Sequence, residues 1–229
     1  MIYGIDVSSY QSAHIDWAKV AKSCGFVIIK ASEGDHVLDP DRLIDAAGCE
    51  ANGIPWGCYH YAHEELGDGY QQAQFLWSAC GDVMPDLGPM LDVESRKDAN
   101  PDATLTFIRD FIRGCKDTFG RAPILYTYPA FWKTLGVAGS TASDLIACPL
   151  AIAQYPHPIA QYPHLDGNWQ PGPADAPAKL APWNDAWTFW QYTSQHTTPG
   201  VPTPCDGDAF NGDAAALRAL CGLPALGAP

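Results

Sequence analysis

Asp92 and Glu94 stand one valine apart in the run Gly88-Pro89-Met90-Leu91-Asp92-Val93-Glu94-Ser95. Read as a strand, the run turns both carboxylates to one face and Val93 to the other. Their stems then lie roughly 6.6 Å apart, near enough to serve one substrate atom or to shift each other's pKa. Paired carboxylates of this kind suit general acid–base work on one shared substrate atom. Taken alone, an Asp-x-Glu is also what a solvated strand end looks like, so the elements around it decide its value.

Those elements alternate. Strand signals fall at 2–7, 26–31, 54–61, 90–93, 123–128, 150–155, 187–192 and near 205–208, with helical spacing at 15–22, 40–50, 70–80, from Pro101 onward, near 131–135 and at 214–220. Crossovers of this length imply parallel pairing. Eight strand signals predict an α/β fold: an incomplete, flattened TIM-like β/α barrel with a loosened second half. An open doubly wound sheet is disfavoured, since no Gly-x-Gly-x-x-Gly or Walker-type loop follows a strand. After the sixth strand, Ile159–His164 repeats Ile152–His157, and a Pro/Gly/Ala-rich stretch runs to Pro182. That reads as an insertion lengthening one loop, so 1–229 is expected to be a single catalytic domain without a separate wall-binding module.

In a β/α barrel, functional groups gather at the C-terminal ends of the strands. Asp6 falls at the end of the first strand, Asp92 and Glu94 at the fourth, and Asp206 near the end of the eighth. The first and eighth strands are neighbours in a closed barrel, so the four carboxylates are expected to face one mouth. Tyr59 and Tyr61 share a strand face and, with Tyr126 and Gln191, are candidates for holding a sugar. Lys30 and Glu33 are expected to form a polar layer rather than to take part in catalysis. His60 and His63 would point to opposite faces of a strand and so not share a metal.

Composition narrows the partners. With 47% hydrophobic and 17% charged residues the chain is globular rather than disordered. A net charge of −13 argues against nucleic acid and anionic membranes as partners. No apolar run is long enough for membrane insertion, and the N-terminus lacks the basic and apolar regions of a secretory signal. The eight Trp, ten Tyr and eight Phe suit stacking against sugar rings. Eight cysteines include no Cys-x-x-Cys and no zinc-like Cys/His spacing, so no metal or cofactor is expected. They read mainly as small buried hydrophobes, although 24, 49, 80 and 115 fall near helix ends that a barrel would bring to one face.

Gly4-Ile5-Asp6-Val7-Ser8-Ser9-Tyr10-Gln11 followed by Ile15-Asp16-Trp17 resembles the opening of glycoside hydrolase family 25, the lysozymes (N-acetylmuramidases) that include phage endolysins and autolysins. Ile29–Gly34, Gly57–Tyr61, Leu91–Glu94, Ile124–Thr127 and Phe189–Ser194 resemble further blocks of that family in order, from about residue 3 to 212. The resemblance implies cleavage of the β-1,4 bond between N-acetylmuramic acid and N-acetylglucosamine in peptidoglycan, with Glu94 as proton donor. Asp92 would either orient the substrate's own N-acetyl oxygen or act directly, as nucleophile or on a water; the spacing leaves both open, and substrate assistance is the preferred route. Two departures stand out. Ala151 occupies the place of a usual Trp, and Cys205-Asp206-Gly207-Asp208 replaces Val-Asp-Leu-Asn, so Asp208 is an alternative to Asp206. The rival readings are a chitinase-like hydrolase of N-acetylglucosamine polymers and a non-catalytic carbohydrate-binding barrel. The expected setting is a monomeric endolysin waiting in the host cytoplasm until lysis.

Overall fold

The computed structural model describes residues 1–11, 14–95, 100–137, 142–156, 169–184 and 186–223. Nine strands form one sheet: β1 (Ile2–Val7), β2 (Val27–Glu33), β3 (Val37–Leu38), β4 (Trp56–Tyr61), β5 (Met90–Asp92), β6 (Ile124–Thr127), β7 (Leu150–Ala153), β8 (Trp187–His196) and β9 (Cys205–Phe210). Eight of them close on themselves, in the order β1-β2-β4-β5-β6-β7-β8-β9 and back to β1. The ninth, β3, is a two-residue antiparallel addition to β2 that the sequence pattern does not announce. The second copy of the repeat, 159–164, lies outside the described residues.

The last strand departs from the parallel rule. β9 runs antiparallel to both β8 and β1. Only residues 197–204 separate it from β8, too few for the dozen or more that a parallel crossover needs, so the chain turns back as a hairpin. Asp206 is therefore not near the end of its strand, as the sequence pattern indicates, but the second residue of β9. The reversal of direction brings that start to the mouth, with Asp206 directly opposite Asp6.

Strand alternation divides the apolar residues into two layers. Ile5, Val7, Val27, Ile29, Leu91 and Leu125 point outward, against the helices. Phe26, Ile28, Met90, Ile124, Phe189 and Phe210 fill the lower half of the barrel interior, where Leu217 and Cys221, in and just after α7 (Ala214–Leu220), close it from below. Gly4 faces this interior; a Cβ there would lie 2.5 Å from the Phe26 carbonyl oxygen. Above this apolar plug the inward positions turn polar, and the site begins there.

The helices that hold the loops in place start on side-chain caps. Asp68 accepts from the Gln71 amide at the head of α3 (Gly69–Cys80), and Asn100 accepts from the Asp102 amide, with Pro101 at the first turn of α4 (Pro101–Phe119). Thr104, Phe107, Ile108, Phe111, Ile112 and Cys115 form the buried stripe of α4. These two helices cross closely. A Cβ on Gly69 would sit 2.0 Å from the Phe107 carbonyl oxygen and 2.7 Å from the Phe111 nitrogen, both backbone atoms that cannot swing aside. Gly69→Ala is therefore expected to cost about 3 kcal/mol, at the upper end of ordinary overpacking. Urea denaturation would show it as a lowered midpoint with an unchanged slope.

All eight cysteines carry free thiols; seven are buried and Cys24 is half-buried. Cys58 and Cys80 come nearest, Sγ to Sγ 3.3 Å. The four helix-end cysteines thus behave as packing residues, which the apolar surroundings of Cys49 and Cys115 explain.

Candidate active site

A cleft of about 730 Å³ opens at the mouth of the barrel. It is lined by all eight residues that the sequence marks for chemistry or binding: Asp6, Tyr59, Tyr61, Asp92, Glu94, Tyr126, Gln191 and Asp206. β5 ends at Asp92, and the Val93 amide still donates to the Tyr126 carbonyl (3.0 Å), so the backbone stays tied to β6 as it reaches Glu94. Asp92 is 8% exposed, whereas Glu94 is half-buried on the rim.

Burial, then the neighbouring Glu94 and Asp6 charges, push Asp92 well above the ordinary carboxylate range, and Lys30 pulls the other way. Glu94 is raised as well, by burial. The two titrate as a unit, and that unit keeps a proton beyond the pH at which isolated carboxyl groups have lost theirs. One oxygen of Asp92, Oδ1, is shut off from solvent and has no hydrogen-bond partner among the described residues.

Across the mouth, one amide fixes Asp6. Gln191 Nε2 donates to Asp6 Oδ2 at 2.8 Å. Its Oε1 accepts from both Tyr126 Oη (2.9 Å) and Tyr155 Oη (2.7 Å), which fixes the amide orientation. Removing this amide would leave two phenols and a carboxyl group without their shared partner. Gln191→Leu is expected to destabilise the fold by about 2–4 kcal/mol, measurable by chemical denaturation, and to lower activity in the folded fraction.

A third wall was legible only in part. Lys30 Nζ lies 2.7 Å from Glu33 Oε2, and the other Glu33 oxygen meets His63 Nε2 at 2.9 Å. Lys30, Glu33 and His63 all line the cleft, so the polar layer expected from the sequence exists and extends by one histidine. Lys30 also sits over the Tyr61 ring, 5.5 Å from its centroid. His60 is separate. It is fully buried, between Ser32 Oγ (2.8 Å) and Gln72 Oε1 (2.9 Å), and burial lowers its pKa to about 4, so it is a neutral packing residue. Among the described residues no group of three or more His, Cys, Asp or Glu side chains is arranged to hold a metal ion.

Tyr155 is a cleft residue that the strand signal at 150–155 does not single out. It follows Ala151 and Ala153 at every second position, and that alternation, carried past the end of β7, would have found it. Ala151 itself lines the cleft, and Tyr155 places an aromatic ring four residues beyond it. Asp208 also lines the cleft, one inward position deeper than Asp206.

Residues 5–201 match the model of "Glycosyl hydrolases family 25". The chain is 30% identical over 234 residues to Lysozyme M1 of Streptomyces globisporus, covering 96% of this chain and 71% of that one. Among solved structures it is similar to a bacterial lysozyme from Streptomyces coelicolor, with a TM-score of 0.79, 28% identity and 96% of each chain covered. It is also similar to the catalytic domain of endolysin ply40 from a Listeria monocytogenes bacteriophage, with a TM-score of 0.72, 26% identity and coverage of 97% and 98%.

Proposed function

The chain belongs to family 25 of the glycosyl hydrolases, and from that premise we propose that it is a muramidase cleaving the β-1,4 bond between N-acetylmuramic acid and N-acetylglucosamine in peptidoglycan. Glu94 is the general acid in this reading. From the rim of the cleft it gives its proton to the glycosidic oxygen as the bond to the anomeric carbon lengthens and positive charge grows there.

One observation carries the role of Asp92: its Oδ1 is buried and has no partner among the described residues. That oxygen is an acceptor in want of a donor, and the N–H of the sugar's acetamido group supplies one. With its N–H held, the acetamido group turns its carbonyl oxygen to the anomeric carbon, and water later opens the resulting ring with Glu94 now acting as base. In this reading Asp6 and Asp206, on the opposite wall, hydrogen-bond the reacting sugar and hold it in place. Tyr59, Tyr61, Tyr126 and Gln191 hold the flanking sugars.

Digestion of purified peptidoglycan followed by analysis of the new reducing ends tests the reading. Muramic acid ends are expected; glucosamine ends would overturn it. The same assay on chitin oligomers addresses the chitinase-like alternative, for which no turnover is expected. A non-catalytic binding barrel would dispense with its acids, yet all four are present in the cleft.

The reading takes the protein to act as a monomer, which sedimentation analysis checks. The likeness to a phage endolysin supports an enzyme that acts on the wall from inside the host at lysis. No helix among the described residues is long and apolar enough to cross a membrane. Cytoplasmic expression is then expected to leave cells intact until their membrane is permeabilised, and turbidity records the moment.

A further inference from the structure

Asp208 is an acid of the cleft that the reaction above leaves without a task. On β9 it lies opposite Gly4 of β1 and Gln191 of β8, one inward position below Asp206. It is 7% exposed, and its Oδ2 is shut off from solvent with no hydrogen-bond partner among the described residues. Asp6 lies within hydrogen-bonding reach.

Counting donors shows what such a place demands. Asp6, Asp206 and Asp208 stand together, and among the described residues Gln191 Nε2 is the one N–H donated to them, at Asp6. Gln191 cannot turn to serve a second carboxyl group, because its oxygen is held by Tyr126 and Tyr155. Hydrogen bonds within the trio must therefore use protons that the carboxyl groups carry themselves. The other titratable groups facing Asp208 are Tyr155 beyond β7, Tyr192 on β8 and Cys24 ahead of β2. Burial raises each of these, so all three stay neutral and none offers a countercharge.

We propose that Asp208 is a positioning residue that shares a proton with Asp6 and so holds the Asp6 carboxyl group in place from below, as Gln191 holds it from the side. The inference rests on the muramidase reading for the work that Asp6 does, but the shared proton can be measured without turnover. Burial first, then the Asp206 charge, raise Asp208 to about 8, while its hydrogen bond to Asp6 pulls the other way. Asp206 is pushed up to about 9 and Asp6 well above its ordinary value, burial leading in both. Asp206 and Asp208 thus hold protons past neutral pH, Asp208 the less tightly of the two.

Carbon-13 labelling of aspartate carboxyl groups in the full chain tests this. The resonance that disappears in Asp208→Asn is expected to titrate near pH 8 in the parent protein. Titration in the ordinary aspartate range, near about 4, would overturn the proposal. Asp208→Leu, which cannot hydrogen-bond, is expected to lower kcat about a hundredfold with KM nearly unchanged, the size of a displaced reacting group. Asp208→Asn, which keeps the hydrogen bond, should recover most of that loss; equal losses in the two variants would count against the shared bond. Should Asp208→Leu not fold, the titration of the parent protein decides alone. A parent protein that titrates as expected but does not cleave peptidoglycan would sink the muramidase reading and leave the shared proton standing.

Discussion

Glu94→Gln is expected to lower kcat on purified peptidoglycan by about a thousandfold, within the range that a positioned general acid contributes. Glutamine keeps the shape of the side chain but has no proton that it can give to a departing sugar oxygen. KM should change little, because the same contacts to the glycan remain. Since Glu94 sits half-buried on the rim, the loss should come without a change in melting temperature beyond a degree or two, as for surface substitutions of about 0.5 kcal/mol. A second substrate separates acid catalysis from binding. An aryl glycoside with a strongly acidic leaving phenol needs no proton for departure, so the variant should keep most of its activity there. Equal losses on the two substrates would remove Glu94 from the role of acid.

Asp92→Asn should lower the rate, move the pH dependence towards acid and raise stability at neutral pH. The rate falls by about a hundredfold or more, since asparagine carries no charge to polarise the acetamido group as it attacks. The pH dependence follows from charge. Asp92 and Glu94 titrate as a coupled pair, and an ionised Asp92 makes it harder for Glu94 to release its proton. With asparagine that repulsion is gone, Glu94 ionises at lower pH, and the alkaline limb of the kcat/KM profile moves towards acid. Stability goes the other way. The folded-state pKa of Asp92 is raised, so its contribution to stability is fully present below the unfolded value of about 3.9 and is lost as pH rises through the folded pKa. The asparagine variant does not lose that contribution. Relative to the parent protein it should therefore melt higher at pH 7 than at pH 4, which calorimetry at the two pH values would show. A variant that is slower and yet more stable at neutral pH is what a site holding an unsatisfied buried acid predicts.

Most of this site could be read from the chain because strand alternation is a strict rule. Asp92 and Glu94 had to share a side, and the long crossovers up to β7 had to give parallel strands whose ends meet. The barrel and its eight marked lining residues follow from those two constraints. The direction of β9 does not, because it depends on how short the 197–204 connection is, and the strand signal itself looks the same in either direction. Asp206 was placed at the right mouth although its strand was entered from the wrong end. Tyr155 escaped because the inward alternation outlasts the hydrogen-bonded strand by two residues. His63 joined Lys30 and Glu33 through side-chain contacts across two strand ends, and no spacing along the chain encodes those. Asp208 stood in view as an alternative to Asp206, but only its depth beneath Asp6 distinguishes a rim acid from a buried one.

The antiparallel course of β9 has a practical consequence for handling the protein. Because that strand runs down from the mouth, α7 lies under the barrel, against Phe26 and Phe210. Ile2 pairs with Phe210 at the same lower end. Both ends of the described chain thus emerge on the side away from the cleft. Attached to a bead or a surface through either end, the protein would present its mouth outward, and a glycan strand could pass along it without meeting the tether.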